Sequence, residues 1–539
     1  MRSDPNLTRR DWLLGAAAGV SLLACRKPER QATVAGAGAD LLFAFDGATV
    51  TQFTLDPHNS LFAPHHRIMR SIFDSLVAAQ PGHRFGPWLA KSWTVSPDGL
   101  RYRFELRDDV SFHDGTRFDA EALRFNLDRA VDPTEALYAS TELGSYVRTH
   151  VLAPFTAEIE LATPFAALLA NLSKSTLGIV SPTAVKKYRD QFANHPVGTG
   201  PFCFESSLPG SEVVLSRNER YRWPPSGANH QGPAKLGRLT FRNVPEESTR
   251  LAVLQSGQAG AVDLVPPQNL ATLKRSGEFT LIERELLNHN YSLYLNSARE
   301  PWHDLRLREA FRLSLDLDSA VKSIYFGTAA RAWSPLSPSL WSYDASLENS
   351  WRPDPARAAQ LLDSEGWKLG ADGVRVKAGK RLRAVFLDTQ GNREKRLDLL
   401  LVLRRQLHKN GIEVQLDSVP FGAYMDRVDK GDWDLLGGSQ FSSDPDVLRR
   451  IYSPEQRSRT SPSRADDPEL NRLLDEGLRE VNEDKRAALY HRAQHLIVER
   501  GFAIPVYVLN YTVAAAPSVR DITIDVNGFP NFHETWVAV

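Results

Sequence analysis

The sequence predicts an α/β protein of more than one unit, and three observations carry that reading. Leu41 to Phe45 is a compact apolar run suited to a buried strand. Trp93 and Val95, then Tyr102, Phe104 and Leu106, alternate with polar neighbours around Ser96-Pro97-Asp98-Gly99, which predicts a β-hairpin. Beyond residue 300, helical spacing alternates with strand spacing, the pattern of an α/β layer. At 539 residues the chain is too long for one ordinary core, and its length corresponds to about three to four domain-sized units.

The elements follow in order. After the hairpin, a turn at His113-Asp114-Gly115 leads into a helix near Ala120 to Ala130. Leu307, Ala310, Phe311, Ser314 and Leu315 fall at helical spacing behind a capping Asp304. Asp354-Pro355 opens a further helix that Gly366 closes. Leu400, Leu403 and Leu407 line another, ended by Gly411, and Ile412, Val414 and Leu416 alternate as a strand.

Composition narrows the function classes. Lys+Arg and Asp+Glu are each 65, so no net charge recruits nucleic acid, and no polyanion partner is expected. Hydrophobic residues make up 42%, enough for packed cores rather than disorder. Of the two cysteines, Cys203 lies in the apolar stretch 201–204 and reads as a packed side chain.

The first 25 residues form an address. Arg9-Arg10 precede an uncharged run from Trp12 to Ala24, too short for a stable membrane span. Thr8 to Leu14 resembles a twin-arginine export signal, and Leu22-Leu23-Ala24-Cys25 resembles a bacterial lipobox. The expectation is a leader over 1–24, a lipid on Cys25 and a flexible tether over 25–39; a plain secretory leader with an incidental cysteine is the alternative. Removing three arginines and two aspartates with the leader leaves 62 basic against 63 acidic residues.

Catalytic and metal motifs fare poorly. The 14 histidines show no helical ligand spacing, and adjacent His65-His66 would splay to different faces of a helix. His113-Asp114-Gly115 reads as a self-capping turn rather than a general base. Ser319 and Lys322 match S-x-x-K without its K-T-G partner, and Gly198-Thr199-Gly200 lacks the trailing Gly-Lys of a phosphate loop. Those glycines read instead as a tight backbone crossing. Trp333, Trp341 and Tyr343 sit in a Ser/Pro-rich loop, where they either stack on a ligand or cover the surface. Neither enzyme activity nor a cofactor is expected; a hydrolase acting on cell-wall fragments is the weaker alternative.

Four segments, in order, resemble one family. They are Leu55-Asp56-Pro57-His58 with 72–77; 89–99 continuing through 106–115; 196–202 with Arg217-Asn218 and Tyr221; and 304–310 with Ile504-Pro505-Val506-Tyr507. Together they are similar to the extracytoplasmic solute-binding proteins, family 5, of peptide, opine and nickel importers. The resemblance implies a two-lobed periplasmic-binding-protein type II fold (cluster C) with an extra subdomain in the first lobe. It divides the chain into a first lobe of 40–66, 190–287 and 510–539, an inserted subdomain of 67–189 and a second lobe of 288–509. Crossing strands near 288–293 and 506–511 would form the hinge.

The implied function is a monomeric binding lipoprotein at the periplasmic or cell surface that delivers a solute, by default an oligopeptide, to an ABC permease and its ATPases. A sensor or assembly partner that keeps the trap without a permease is a further possibility. Implied ligand-binding residues are Leu61, Phe62 and Ala63, then Gly437, Gly438, Ser439, Gln440 and Phe441, which would pair with an extended ligand, and Asp444. Asp444 and Asp446 also read as loop caps. Peptide binders of the family usually carry an Asp where this chain has Phe441. Either another acid substitutes, or the ligand lacks a free cationic end, as an opine, glycan or metal chelate does.

Overall fold

The structure, a computed structural model, describes residues 38–47, 53–60, 62–135, 137–454 and 463–538. The leader, Cys25, nearly all of the tether and Leu61 lie outside the described residues.

A seven-stranded sheet organises the first lobe, in the order Thr280–Glu285, Asn510–Ala515, Ala261–Asp263, Asp40–Phe45, Arg238–Asn243, Glu212–Arg217 and Phe202–Leu208. The predicted strand at its centre runs parallel to both neighbours, Asp40 pairing with Arg238 and Phe43 with Ala261. Its side chains alternate between two layers. Leu41, Phe43 and Phe45 join one core, while Ala44 joins another with Leu251 and Leu254 of the helix Glu247–Gln255.

A five-stranded sheet organises the second lobe, in the order Glu413–Val419, Arg383–Thr389, Leu435–Phe441, Asn288–Leu295 and Ile504–Tyr507. Helices cover both faces. Leu305–Leu313, Leu317–Tyr325, Pro355–Ser364 and Arg396–Lys409 pack on one side, and Val447–Tyr452, Pro468–Arg479 and Glu483–Glu499 on the other. Asp304 caps its helix by accepting from the Arg306 amide, as predicted; the helix ends at Leu313, one residue before Ser314, whose hydroxyl donates to the Ala310 carbonyl.

The chain passes between the two sheets twice, at 286–287 and 508–509. The Leu286 amide donates to the Leu509 carbonyl at 3.0 Å where the passages meet. On one side Glu285 pairs with Asn510, and on the other Tyr291 pairs with Tyr507, so strand pairing continues across the crossing.

The predicted hairpin, Ala90–Val95 with Arg101–Leu106, belongs to a separate four-stranded antiparallel sheet completed by Thr156–Leu161 and Tyr146–Ala153. The helix Ala120–Val131 covers it over its own core. The 198–200 glycines anchor this subdomain: a Cβ at Gly198 would lie 2.2 Å from the Ile72 carbonyl oxygen, so only glycine allows the approach. His113 donates from Nε2 to the Gly200 carbonyl at 3.0 Å and accepts from the Gly198 amide at Nδ1. Burial lowers its pKa to about 4, which keeps it a neutral structural group. Asp114 accepts from the Thr116 amide and hydroxyl and from Ser181, as a turn cap does.

Candidate functional site

Beside the crossing the strand Leu435–Phe441 reaches the lobe boundary, where Phe441 meets Phe529 of the first lobe. One edge of that strand pairs with Asn288–Leu295, with a bulge between His289 and Ser292 opposite Ser439. The other edge meets Arg383–Thr389 only at Leu435, which pairs with Phe386, so Gly437, Gly438 and Ser439 have no strand partner on that side among the described residues. Gly437 has no room for a side chain, because a Cβ there would lie 2.0 Å from the Tyr291 hydroxyl. The wedge between the two strands therefore offers bare backbone beside an aromatic wall. Tyr291 stacks on Tyr507 at 4.8 Å, and the Arg396 guanidinium lies 4.7 Å from the Tyr291 ring.

The run Arg393-Glu394-Lys395-Arg396 follows that wall. Glu394 (φ 53°) and Lys395 (φ 56°) are both left-handed, a conformation that costs a non-glycine residue roughly 1 kcal/mol or more. Helix formation accounts for part of it: Asn392 accepts from the Leu397 amide and caps the turn into Arg396–Lys409. The rest is electrostatic. Burial alone would raise the Glu394 carboxyl, but Arg396 and Arg393 outweigh it and hold its pKa at about 2. Arg396 donates to Glu394 at 2.7 Å and to the Ser439 hydroxyl at 3.2 Å, and Tyr507 donates to the same carboxylate at 3.1 Å. Arg393 Nε lies 3.3 Å from a Glu394 carboxylate oxygen, an ion pair without hydrogen-bond alignment.

The first lobe faces this loop. Phe62 lies 5.7 Å from the Arg393 guanidinium and 5.6 Å from Phe421. Lys395 reaches across to Glu247 at 2.5 Å. Behind Phe62, buried Arg67 pairs with Asp263 at 2.8 Å and stacks on Tyr511. At the far side Phe441 meets Phe529 of the first lobe at 5.9 Å.

Two further contacts bridge the boundary. Glu142 of the subdomain is buried between Arg450 of the second lobe (2.6 Å) and Lys174 (2.9 Å); burial would raise its pKa, yet those two cations hold it at about 2. His83, on the turn between Val77–Gln80 and Arg84–Pro87, stacks on Trp341 at 4.8 Å and lies 3.5 Å from Asp444.

The structure sorts the residues proposed from sequence. Gly437, Gly438, Ser439, Gln440 and Phe441 form one strand, and Phe62 stands opposite the charged loop. Ala63 corrects the expected extended stretch. It opens the helix Ala63–Met69, with Pro64 fixing the first-turn backbone and the Phe62 carbonyl accepting from the His65 and His66 amides, so Ala63 offers no strand edge. Asp444 is 1% exposed; Arg486 takes both its oxygens at 2.7 Å and His83 of the subdomain lies 3.5 Å away, so the carboxylate is already partnered.

Among the other motifs, Ser319 donates to the helix cap Asp316, which explains S-x-x-K as capping chemistry. Trp333 packs against Trp351 and Arg331 within the second lobe. Tyr343 bonds Glu348. Among the described residues no cluster of three or more His, Cys, Asp or Glu is arranged to hold a metal, and no helix is long and apolar enough to cross a membrane. Sequence reasoning missed Arg67, Tyr291, Tyr507 and the 393–396 loop. The one local signal was four successive charged residues just beyond a strand and Gly391.

Comparison with known proteins agrees with this architecture. The glutathione-binding protein GsiB of Shigella dysenteriae is 27% identical over 487 residues, covering 88% of this chain and 90% of that protein. The periplasmic binding protein DppA of Helicobacter pylori, solved with the peptide STSA, shares the fold at a TM-score of 0.81 and 24% identity, covering 93% and 98% of the two chains. The binding protein AgaA, solved with agropinic acid from A.tumefacien R10, does so at a TM-score of 0.79 and 22% identity, covering 93% and 99%. These neighbours are two-lobed type II periplasmic binding proteins, and the same fold class holds here. The model of bacterial extracellular solute-binding proteins, family 5 Middle, matches residues 84–458. The chain therefore belongs to the family 5 extracellular solute-binding proteins.

Proposed function

We propose that this protein captures a small, anionic, peptide-like solute between its lobes and hands it to a membrane permease driven by ATPases. The observation that carries the reading is the strained 393–396 loop. Arg393 and Arg396 flank Glu394 on a loop whose backbone costs free energy, and the Arg393 guanidinium lies 5.7 Å from the Phe62 ring of the other lobe. A carboxylate matches the planar guanidinium fork. The bare edge at 437–439 suits main-chain hydrogen bonds from a ligand backbone. Contacts from both lobes to one solute favour the closed arrangement, since an open gap cannot make them together. Glutathione binding by GsiB and peptide binding by DppA support this class of solute.

Phe441 favours a second solute class within the same reading, one without a free ammonium, such as the opine bound by AgaA. We also propose export by the twin-arginine leader and anchoring through a lipid on Cys25; labelling with a fatty-acid probe, lost in Cys25→Ser, is the expected result. The solute reading is tested by calorimetry and solution scattering with glutathione, tripeptides, an opine, a glycan and a nickel chelate. Binding of at least one, with contraction of the particle, is expected. No binding across the panel would refute it.

A further inference from the structure

Asn288 opens the strand Asn288–Leu295 and has no role in the site described so far. It is fully buried, and among the described residues neither its carboxamide oxygen nor its nitrogen has a hydrogen-bond partner. Its backbone is held: the amide donates to the Ser337 hydroxyl at 3.4 Å, and the carbonyl accepts from the Ser337 amide at 3.0 Å. A fixed, buried, unsatisfied carboxamide is costly, and an apolar side chain of similar size would avoid that cost.

Strand register gives its direction. Asn288 pairs with Phe441 and His289 with Gln440, and directly paired residues of antiparallel strands share a face. Phe441 meets Phe529 of the first lobe, and Ser439, two residues earlier on the same face, accepts from Arg396. His289 faces the other way, into the second lobe's own core, where it bonds the Tyr452 hydroxyl. The Asn288 carboxamide thus shares the gap-facing side of the sheet with Phe441 and Ser439.

We propose that Asn288 is a specificity-determining residue that hydrogen-bonds an amide group of the bound solute beside the apolar Phe441. A carboxamide offers a donor and an acceptor together. An amide returns both, whereas an ammonium only donates and a carboxylate only accepts, so of these three peptide groups the amide satisfies both ends. Phe441 adds no charge that would retain an ammonium. The inference rests on the gap being the solute site and adds which chemical group sits at this end of it, opposite the cationic loop.

The test is calorimetry on the purified full-length protein with N-acetyl-Ala-Ala-Ala, free-amine Ala-Ala-Ala and glutathione, using wild type, Asn288→Leu and Asn288→Asp. Wild type is expected to bind the acetylated tripeptide at least about tenfold more tightly than the free-amine form. Asn288→Leu should erase that preference by weakening the acetylated peptide, and Asn288→Asp should reverse it. Equal binding of the two tripeptides by wild type, or a preference untouched in Asn288→Leu, overturns the assignment of Asn288 while leaving the gap as the solute site. Failure of all three probes on wild type overturns the assignment of Asn288, and only failure of the wider solute panel overturns the solute site as well. Ligand-free melting gives a second readout: Asn288→Leu should melt higher than wild type, and a lower melting point would mean the carboxamide serves packing and would also overturn the proposal. If Asn288→Leu does not fold, Asn288→Ala supplies the same binding comparison.

Discussion

Two charged clusters sit at the lobe boundary, and they differ in how completely their charges are used. Glu142, Arg450 and Lys174 are buried, their ion pairs are 2.6 and 2.9 Å long, and no residue of the triad has a left-handed backbone. The 393–396 loop sets Arg393 and Arg396 around the Glu394 carboxylate beside two left-handed residues, and the Arg393 pair is the longer, at 3.3 Å and without hydrogen-bond alignment. The first cluster is self-sufficient and acts as a clasp between subdomain and second lobe. The second is incomplete and strained, which is how a site that awaits a charged partner differs from one that has it. Charge density alone does not mark a binding site. Unused hydrogen-bonding capacity does.

Acid is the broadest way to strain both clusters. Glu142 and Glu394 are held at about 2, so neither titrates above pH 3. The buried histidines give way first: burial lowers His58, His66 and His113 to about 4 and His65 and His289 to about 3. Below pH 6.5 the unfolded chain binds protons that these folded sites refuse, so stability falls as pH drops from 6.5 toward 4, by at most about 1.4 kcal/mol per unit for each histidine. Asp74 opposes the trend. Burial raises it to about 7, which favours the folded state as pH falls from 7 to 4, and burial raises Asp388 too, but the lowered histidines outnumber them. Urea midpoints at pH 7, 6 and 5 should decline steadily; a flat profile contradicts this account.

Glu142→Gln probes the clasp. It leaves Arg450 and Lys174 buried without an anion, and the expected loss is about 3–5 kcal/mol of folding stability. A change below about 1 kcal/mol in urea unfolding would remove the clasp from the description. Arg393→Ala probes the other cluster and should act on binding: affinity for glutathione falls about 10–100-fold by calorimetry. Its melting point should fall less than that of Glu142→Gln, because burial already disfavours the charged guanidinium and Arg396 still pairs with Glu394. If Arg393→Ala destabilises the protein as much as Glu142→Gln does, the contrast between the clusters fails. Lys395→Asn gives the smallest effect. Asparagine tolerates the left-handed backbone, and only the partly exposed pairs with Glu247 and Asp398 are lost, so the change should stay at about 1 kcal/mol or below.

Much of the local structure was legible in the chain. Asp304, Pro355, Gly366 and Gly411 mark helix ends through backbone chemistry that needs no distant partner, and Leu41, Phe43 and Phe45 declare a strand by alternation. Pro64 carries a similar local signal, a proline in the first turn of the helix that starts at Ala63, where the family resemblance implies pairing with an extended ligand. The 437–441 stretch was placed by resemblance; its open edge comes from how far Arg383–Thr389 diverges from it, a property of the assembled sheet.

The sequence by itself determined the alternation of helix and strand, the turns and caps, the family and hence the two-lobed plan, because these depend on spacing within a few residues or on motifs kept in order. Only the tertiary structure decided that Asp444 is spent on Arg486, 42 positions away, that Glu142 meets Arg450 across 308, and that Asn288 stays buried without a partner. The physical reason is that an ionisable or polar group takes its role from what remains to satisfy it after folding, and those partners are chosen by the packing of distant segments rather than by neighbours in the chain.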